Sequence, residues 1–318
     1  MNILFVGYRD PRHSSAGGYD GITKFPGSHT LWDKDVLLGS IPMHQRGKII
    51  NTFFLDLKAR VVGKKYDVVH YFYGDMLLFP FSKNRNFKIV TTIHLNFNRR
   101  DKMPNMFLRT LKSLDGVITL SSQQQKELEG LNIKASFIPH GFNQPVFKKK
   151  AMAIDHSVIN IVVSGSNYRD WDTLYKAIDY CAEEKNNIMF HLMGQPKAVK
   201  DSLCGKKNVI CYPRLCDDDY YSLIAACDYN FLPLTFATAN NALLEAEFLG
   251  VKSILPSISG ISDYASEDYN FYYSSSEQLY ELFKSLKKGS LCSELKEYAQ
   301  RFLWENVFLQ LNDYYNSL

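Results

Sequence analysis

The sequence lacks long hydrophobic runs, because its longest unbroken apolar stretches span only five or six of the 318 residues. A membrane-spanning helix needs about 18 consecutive apolar residues, so these runs exclude one. The apolar stretch at the start, residues 3–7, is too short for a signal peptide and has no basic leader. We therefore expect a cytoplasmic protein. A hydrophobic fraction of 46% against 22% charged residues excludes disorder.

Cysteine is scarce and follows no binding pattern. All six cysteines lie in the second half of the chain, and no two have Cys-x-x-Cys spacing. We therefore expect reduced thiols, with neither a zinc ribbon nor a disulfide framework. No metal site is expected, since the acidic triplet 217–219 lies at a predicted helix start, where acids favour the helix dipole.

Charge is distributed unevenly along the chain. Residues 1–150 contain 23 Lys and Arg against 11 Asp and Glu, a net charge of +12, whereas residues 151–318 contain 14 against 22, a net charge of −8. This division favours two domains, the first facing an anionic partner such as a membrane surface or a phosphorylated acceptor. Nucleic acid is not expected, because no recognition helix, RNP-like motif or zinc finger accompanies the basic residues. A solvated basic face is the alternative.

Short apolar runs alternate with longer amphipathic segments along the whole chain. Continuous apolar character indicates strands buried on both faces, as in parallel sheets covered by helices. The predicted strands are 3–6, 68–71, 89–93, 116–120, 135–139, 159–164, 188–193, 209–212, 229–232 and 253–255. Helical spacing predicts helices at 171–184, 218–227 and 241–249. The predicted fold class is α/β, with two doubly wound Rossmann-like domains joined by a linker at 144–157.

Open parallel sheets bind ligands beyond the carboxyl ends of their strands, so residues that follow strands are candidate site residues. In the first half, Gly17, Gly18 and Gly21 would let the backbone approach a ligand at a helix start. A flexible turn is the alternative, because the spacing is not G-x-G-x-x-G. His70 and His94 each end a strand. We expect a structural role for His70, whereas His94 opens into a loop and is a candidate site residue.

In the second half, the strand 159–164 is followed by the small residues Gly165 and Ser166 and then by Arg169 near a helix start. Small residues and an arginine beside a helix amino end suit a pyrophosphate. A surface Arg169 paired with a nearby acid is the alternative.

The segment 233–246 carries the most information. Asparagine is a preferred N-cap, so a helix should begin at Asn240 or Asn241. The backbone N–H groups of 241–244, including those of Ala242 and Leu243, would then be free for an anion. Glu245, one turn further, can accept hydrogen bonds from two neighbouring hydroxyls, as a carboxylate does for a nucleotide ribose. A glutamate that only favours the helix dipole is the alternative.

Four segments, in order along nearly the whole chain, resemble one family. Leu244-Glu245-Ala246 followed by Gly250 resembles the L-E-A-x-x-x-G signature of group-1, family-4-like GT-B glycosyltransferases. The other matches are 115–121 with A-D-x-V-I-x-x-S, 138–143 with I-P-N-G-V-D, and 302–305 with F-S-W-E. Their shared order and spacing make the combination specific.

The resemblance implies a GT-B fold with two Rossmann-like domains facing across a cleft. It implies an acceptor-binding domain at 1–150, a nucleotide-sugar-binding domain at 151–300, and a C-terminal helix at 301–318 that packs back on the first domain. It also implies retaining transfer from a nucleoside diphosphate sugar, with no other cofactor. The acceptor would be a glycan or a lipid-linked glycan, in bacterial cell-surface polysaccharide biosynthesis. A polyprenyl-diphosphate-linked glycan at the inner membrane face would explain the net charge of +12 on the first half.

The resemblance also implies roles for single residues. Arg169 stands where the family has a phosphate-contacting lysine, and Ser166 where it has an arginine. Glu245 corresponds to the ribose-binding glutamate, and Ala237 replaces a second glutamate. On the first domain, Gly17 and Gly18 match a glycine pair beside the donor phosphate, and His94 matches a histidine near the sugar and acceptor. Arg169 and the helix amino end would stabilise the leaving diphosphate without a metal.

Residues 98–112 mix five basic residues with Met, Phe and Leu, which suits an interfacial helix and a peripheral protein at the inner membrane face. A core-packed helix with a solvated basic face is the alternative.

Two other functions stay open at this level. The first is a non-catalytic subunit that binds sugar nucleotides, for which Ala237 is the direct hint. The second is a sugar-nucleotide epimerase of the same architecture.

Overall fold

A computed structural model describes residues 1–9, 16–36, 48–77, 79–94, 105–184 and 187–318 of the protein. The chain divides into two compact units. The first comprises Met1–His13, Gly18–Phe142 and Trp304–Leu318, and the second comprises Ser14–Gly17 and Asn143–Leu303. The division after Phe142 lies ahead of the boundary that we expected at residue 150. Within the described ranges, no helix has the length and apolarity that crossing a bilayer requires.

In the described part of the first unit, six parallel strands form one sheet. They are β1 (Ile3–Gly7), β2 (Ser28–Trp32), β3 (Val68–Tyr71), β4 (Lys88–Ile93), β5 (Gly116–Thr119) and β6 (Ala135–Phe137), in the spatial order β2-β1-β3-β4-β5-β6. The helices of this unit are α1 (Lys48–Val62), α2 (Asn105–Lys112), α3 (Ser122–Gly130) and α10 (Trp304–Asn316). Strands β1, β3 and β5 are buried along their whole length, as covered parallel strands are.

Helices cover both faces of this first sheet. Successive residues of β1 point to opposite faces. Val6 joins an apolar cluster with Leu55 of α1. On the other face, the ring of Phe5 lies 5.4 Å from that of His70. The Nδ1 atom of His70 in turn lies 2.5 Å from the Tyr315 hydroxyl of α10.

The last helix, α10, is part of the first unit because its first residue packs on two glycines. A Cβ atom at Gly21 or Gly141 would overlap the buried Trp304 indole. The Trp304 backbone N–H donates to the Phe142 carbonyl at 3.1 Å. Gly21 therefore makes room for a core tryptophan, whereas the sequence suggested a ligand or a flexible turn.

The second unit contains another parallel sheet of six strands in its described part. They are β7 (Ile159–Ser164), β8 (Ile188–Met193), β9 (Val209–Cys211), β10 (Tyr229–Phe231), β11 (Lys252–Pro256) and β12 (Phe271–Tyr273), in the order β12-β11-β10-β7-β8-β9. The helices are α4 (Trp171–Glu184), α5 (Lys197–Leu203), α6 (Asp217–Ala226), α7 (Asn241–Phe248), α8 (Ser276–Ser285) and α9 (Ser293–Gln300). The acidic triplet forms the first turn of α6, as predicted.

The predicted α/β class and both parallel sheets are confirmed, and each predicted strand agrees with an observed one within two residues at either end. Strands β2 and β12 were not predicted. Both lie at the edge of their sheet and have partly exposed residues. The other two edge strands, β6 and β9, are also partly exposed but were predicted, so an edge position alone does not explain the two that were missed.

Two further expectations concern the cysteines and the segment 98–112. Cys204 and Cys211 form a disulfide with Cα atoms 5.7 Å apart, so the prediction of six reduced thiols was wrong for this pair. Their seven-residue separation is not a recognised motif, and the loop between α5 and β9 brings them together. Of the proposed interfacial segment 98–112, residues 98–104 lie outside the described ranges. Helix α2 packs Phe107 and Leu108, both half-buried, on a core cluster, which is the alternative interpretation.

Candidate functional site

The candidate site of the second unit lies at the carboxyl ends of β7, β8 and β10. Gly165 follows β7 with φ 79°, and Gly194 follows β8 with φ 81°. A Cβ atom at Gly194 would lie 3.5 Å from the Gly165 backbone, so the two loops are in contact. The Gly165 N–H donates to the Met193 carbonyl at 2.9 Å, which extends the sheet by one bond. Both positive φ values favour glycine, and glycine has no side chain. Backbone atoms therefore form the surface at the carboxyl ends of these two strands.

Arg169 is a buried cation in the loop that follows β7. It is 8% exposed. Its Nε and Nη2 atoms donate to the Ser164 carbonyl at 3.1 and 2.6 Å, and Nη1 donates to the Asn167 carbonyl at 2.8 Å. Burial lowers the pKa of the guanidinium to about 10, which leaves it charged at neutral pH.

No described acidic side chain forms an ion pair with Arg169, so the alternative of a surface arginine paired with an acid is wrong. A buried cation without a carboxylate is costly in isolation. The arrangement therefore favours an anionic ligand at this place.

Backbone pairing links the Arg169 loop to the segment that leads into α7. Arg169 and Leu234 form an isolated antiparallel bridge. The Asp170 N–H donates to the Pro233 carbonyl at 2.8 Å, and the Thr235 N–H donates to the Tyr168 carbonyl at 2.9 Å. The two segments follow β7 and β10, which are neighbours in the sheet. The loop after one strand is thus held against the loop after the other.

Helix α7 begins at Asn241 with Asn240 as its N-cap, as predicted. The Asn240 side chain accepts from the Leu243 N–H, and the Asn240 carbonyl accepts from the N–H groups of Leu243 and Leu244. The expectation that all four N–H groups of 241–244 are free was therefore wrong for two of them. Those of Asn241 and Ala242 have no hydrogen-bond partner among the described residues. These two donors carry the partial positive charge of the helix end.

Glu245 is 3% exposed and held by two tyrosines of α6. The Tyr220 hydroxyl donates to Oε2 at 2.7 Å, and the Tyr221 hydroxyl donates to Oε1 at 3.3 Å. Burial and the adjacent Glu245 carboxylate raise the pKa of Tyr220 well above its usual range. The two hydroxyls that accompany this carboxylate thus belong to the protein itself. No sequence pattern indicates this pairing, because it depends on how α6 packs beside α7.

Other predicted positions of this unit differ in exposure. Ser166 is exposed, whereas Ala237 is buried. Sequence reasoning missed Gln195, which follows β8 and is buried. Its Nε2 atom donates to the Val163 carbonyl at 2.9 Å, and its Oε1 atom has no hydrogen-bond partner among the described residues. Ligands of parallel sheets bind at the carboxyl ends of the strands, and an unpaired buried oxygen there makes Gln195 a further candidate for ligand contact.

His94 follows β4 in the first unit, as predicted. Its backbone N–H donates to Asp75 Oδ2 at 2.9 Å, and its Nε2–H donates to the Phe72 carbonyl at 2.7 Å. The rings of Tyr19 and Tyr73 lie 4.7 and 4.6 Å from the imidazole. These contacts fix the ring at the carboxyl end of the sheet.

His70 is fully buried. Besides its contact with α10, its Nε2 atom lies 2.8 Å from Thr92 Oγ1. Burial lowers its pKa to about 3, so it is neutral. The expected structural role is confirmed.

The predicted glycine pair falls on the division between the units. Gly17 belongs to the second unit, and its neighbour Ala16 packs with Met193 there. Gly18, with φ 106°, belongs to the first unit and caps the 3-10 helix Tyr19–Lys24. A left-handed backbone at Gly18 is a steric requirement that glycine alone meets easily.

A pocket of the first unit opens beside Gly7 and Tyr71, at the carboxyl ends of β1 and β3. Thr52, Leu55 and Asp56 of α1 form its other wall. The Tyr71 hydroxyl donates to Asp56 Oδ1 at 2.8 Å. The cavity measures about 20 Å³, which is room for roughly one water molecule, so it is too small for a sugar.

Residues 25–144 match the family model described as Glycosyltransferase Family 4. This segment, which lies almost wholly in the first unit, is similar to glycosyltransferase family 4. The match covers the segment that contains His94, Gly116 and His140, three positions of the predicted motifs.

Solved structures of glycosyltransferases share the fold over the whole chain. Anabaena HepE in complex with UDP is 15% identical with a TM-score of 0.72, and the alignment covers 100% of both chains. Sucrose-phosphate synthase from Thermosynechococcus elongatus is 16% identical with a TM-score of 0.70, covering 99% of this chain and 88% of the other. The lipopolysaccharide outer core galactosyltransferase WaaB is 14% identical with a TM-score of 0.69, covering 100% of both. No curated protein matched in the sequence comparison.

The domain match and the shared fold confirm the resemblance to group-1 GT-B glycosyltransferases. The identities are low, so these structures show a shared fold alone.

Proposed function

We propose that this glycosyltransferase moves a sugar from a nucleoside diphosphate donor to a glycan or polyprenyl-diphosphate-linked acceptor in cell-surface polysaccharide biosynthesis. The observation that carries the donor assignment is Arg169. Its guanidinium is buried and has no described acid partner. It lies in the loop after β7, which pairs with the segment before α7. A diphosphate supplies the missing negative charge.

The second support is the amino end of α7. The N–H groups of Asn241 and Ala242 are the donors that remain after Asn240 has capped the helix. A helix amino end with unpaired N–H groups binds phosphate readily. Uridine is the first base to test, because HepE, which shares the fold, was solved with UDP and with UDP-glucose.

The reaction that we propose breaks the bond between the anomeric carbon and the diphosphate oxygen, and forms one from that carbon to an acceptor hydroxyl oxygen. Negative charge grows on the departing diphosphate, and Arg169 stabilises it. Preorganised donors of this kind contribute roughly 2.7–4 kcal/mol each. The departing phosphate oxygen takes the acceptor proton, so attack from the same face retains the anomeric configuration. No metal is needed in this scheme.

The acceptor belongs, in this proposal, to the first unit. His94 is the candidate residue for contact with the acceptor, because its ring is held at the carboxyl end of the sheet by the Phe72 carbonyl and by Tyr19 and Tyr73.

Replacing Arg169 tests the donor assignment. We expect Arg169→Ala to lower turnover by at least about a hundredfold, as loss of one oxyanion donor does. Arg169→Lys should keep part of the activity, since it keeps the charge but not the planar fork. Arg109→Ala on α2 is the control, because that arginine is exposed in the other unit. Turnover of UDP-sugars and UDP binding by calorimetry are the measurements, and unchanged values for Arg169→Ala would contradict the assignment.

Metal independence and retention need their own measurements. Activity should persist in excess EDTA, and the product should show the anomeric configuration of the donor by NMR. Loss of activity that added Mg²⁺ or Mn²⁺ restores would contradict the first expectation.

The rival function is a subunit that binds sugar nucleotides without turning them over, suggested by the buried Ala237 where the family has a glutamate. It predicts a UDP-dependent thermal shift with no transfer or hydrolysis of any nucleotide sugar. An epimerase would instead convert one nucleotide sugar into another without an acceptor.

A further inference from the structure

The outer face of α1 is apolar. Ile50, Phe53, Leu57 and Val61 are 51%, 43%, 50% and 63% exposed. Their spacing of three, four and four residues places them on one side of the helix, in a stripe along its axis. The inner face of α1 packs on the sheet through Leu55. The helix is therefore apolar on the side that faces solvent as well as on the side that faces the core.

A neighbouring loop extends this apolar stripe. Phe79 is 46% exposed, and its ring lies 6.2 Å from that of Phe53. Arg60 of α1 holds this loop by donating to the Phe79 and Pro80 carbonyls at 2.9 and 3.2 Å. The Arg60 guanidinium also stacks 3.7 Å from the centre of the Phe81 ring. The exposed phenylalanine is thus held in place next to the stripe.

Charges of both signs lie around the stripe: Lys58 Nζ donates to the carbonyl of the exposed Asp35 at 2.7 Å, and the exposed Asp67 follows Lys65 by two residues. The single acid of α1, Asp56, is buried and paired with Arg60 at 3.0 Å. Lys58 lies beside the stripe, and Lys64 and Lys65 follow the end of the helix, all three exposed. The first 150 residues carry a net charge of +12. An exposed apolar helix face with basic neighbours matches the pattern of helices that lie in a membrane interface.

We propose that Ile50, Phe53, Leu57, Val61 and Phe79, here called the α1 stripe, dock the protein on an anionic phospholipid bilayer. The apolar side chains enter the boundary between headgroups and acyl chains, and Lys58, Lys64 and Lys65 contact lipid phosphates. The basic charge favours a lipid surface over an uncharged protein groove or a second, equally basic copy.

Vesicle binding tests the stripe in the full-length protein. We expect co-sedimentation with vesicles of phosphatidylcholine and phosphatidylglycerol at low salt, and weaker binding to phosphatidylcholine alone or at high salt. Phe53→Ser/Leu57→Ser should lower partitioning by about tenfold or more, since two half-exposed apolar side chains are lost from the interface. Lys64→Gln/Lys65→Gln should weaken the salt-dependent part.

Leu309→Ser is the matched control, because Leu309 is 67% exposed on α10 of the same unit. It should bind vesicles like the wild type, and thermal melts should show that all variants stay folded. Equal partitioning of the wild type and Phe53→Ser/Leu57→Ser, or no binding to anionic vesicles, would overturn the proposal. So would light scattering that shows a dimer which the same double substitution dissociates, since the stripe would then bind a second copy. Transfer to a soluble acceptor should be unaffected, which separates this test from that of the proposed function.

Discussion

At the scale of single residues, the second unit shows how a buried charge is positioned. Glu245 receives one hydrogen bond from each of two adjacent tyrosines, at 2.7 and 3.3 Å. We expect Tyr220→Phe to destabilise the protein by about 1–3 kcal/mol, because a buried carboxylate oxygen loses its shorter bond. Tyr221→Phe, which removes the longer bond, should cost less. Urea denaturation of both variants measures the difference, and the reverse order would contradict the assignment.

Glu247, two residues after Glu245 in α7, should make the stability of the protein depend on pH. Its Oε1 atom accepts from Asn270 Nδ2 at 2.6 Å, and Oε2 has no hydrogen-bond partner among the described residues. Burial raises its pKa to about 8. Between the unfolded pKa of about 4.3 and pH 8, the folded state keeps a proton that the unfolded state releases. The stability contributed by Glu247 is thus complete below that range and is lost as pH rises through it.

The expected slope is at most about 1.4 kcal/mol per pH unit. Glu247→Gln removes this titration and keeps a hydrogen-bond acceptor for Asn270. We expect its advantage over the wild type to grow from pH 5 to pH 8 in denaturation experiments. Parallel pH profiles of the two proteins would exclude this role for Glu247.

At the scale of elements, two helices of the second unit have side-chain N-caps of the same kind. Asn240 caps α7 through the Leu243 N–H, and Ser275 caps α8 through the Gln278 N–H, both at 3.3 Å. Replacing either by Ala should cost about 1 kcal/mol of stability. Asn240→Ala alone should also weaken UDP binding, because α7 is the helix that we propose for the phosphates. Equal UDP affinity in the two variants would remove α7 from the site.

The observed strands show which sequence patterns predict the bounds of an element correctly. Strands β7 and β8 have the predicted bounds, because every residue between Ile159 and Ser164, and nearly every one between Ile188 and Met193, is buried. The edge strands β2 and β12 are partly exposed and gave no such pattern. The capping residue of α7 was predicted from asparagine's preference, but which N–H groups remain unpaired depended on the local cap geometry.

At the scale of the whole molecule, two separate cores predict two unfolding transitions. Trp304 fills the space above Gly21 and Gly141 in the first unit. We expect Trp304→Ala to destabilise that unit by about 3–5 kcal/mol, as loss of a buried tryptophan does. UDP should raise the other transition, because its proposed site lies in the second unit. Scanning calorimetry with and without UDP measures both, with Leu309→Ala as control, and one transition that responds to both changes would contradict the division.

The sequence by itself determined the α/β class, ten of the twelve described strands, and the positions of Arg169 and Asn240, because these follow from burial periodicity and local capping chemistry. The tertiary structure decided the rest. The pairing of Glu245 with Tyr220 and Tyr221, the Cys204–Cys211 disulfide and the exposed outer face of α1 each depend on which elements become neighbours. Apolar spacing along a helix shows that a face exists, but only the packed structure shows whether another element covers it.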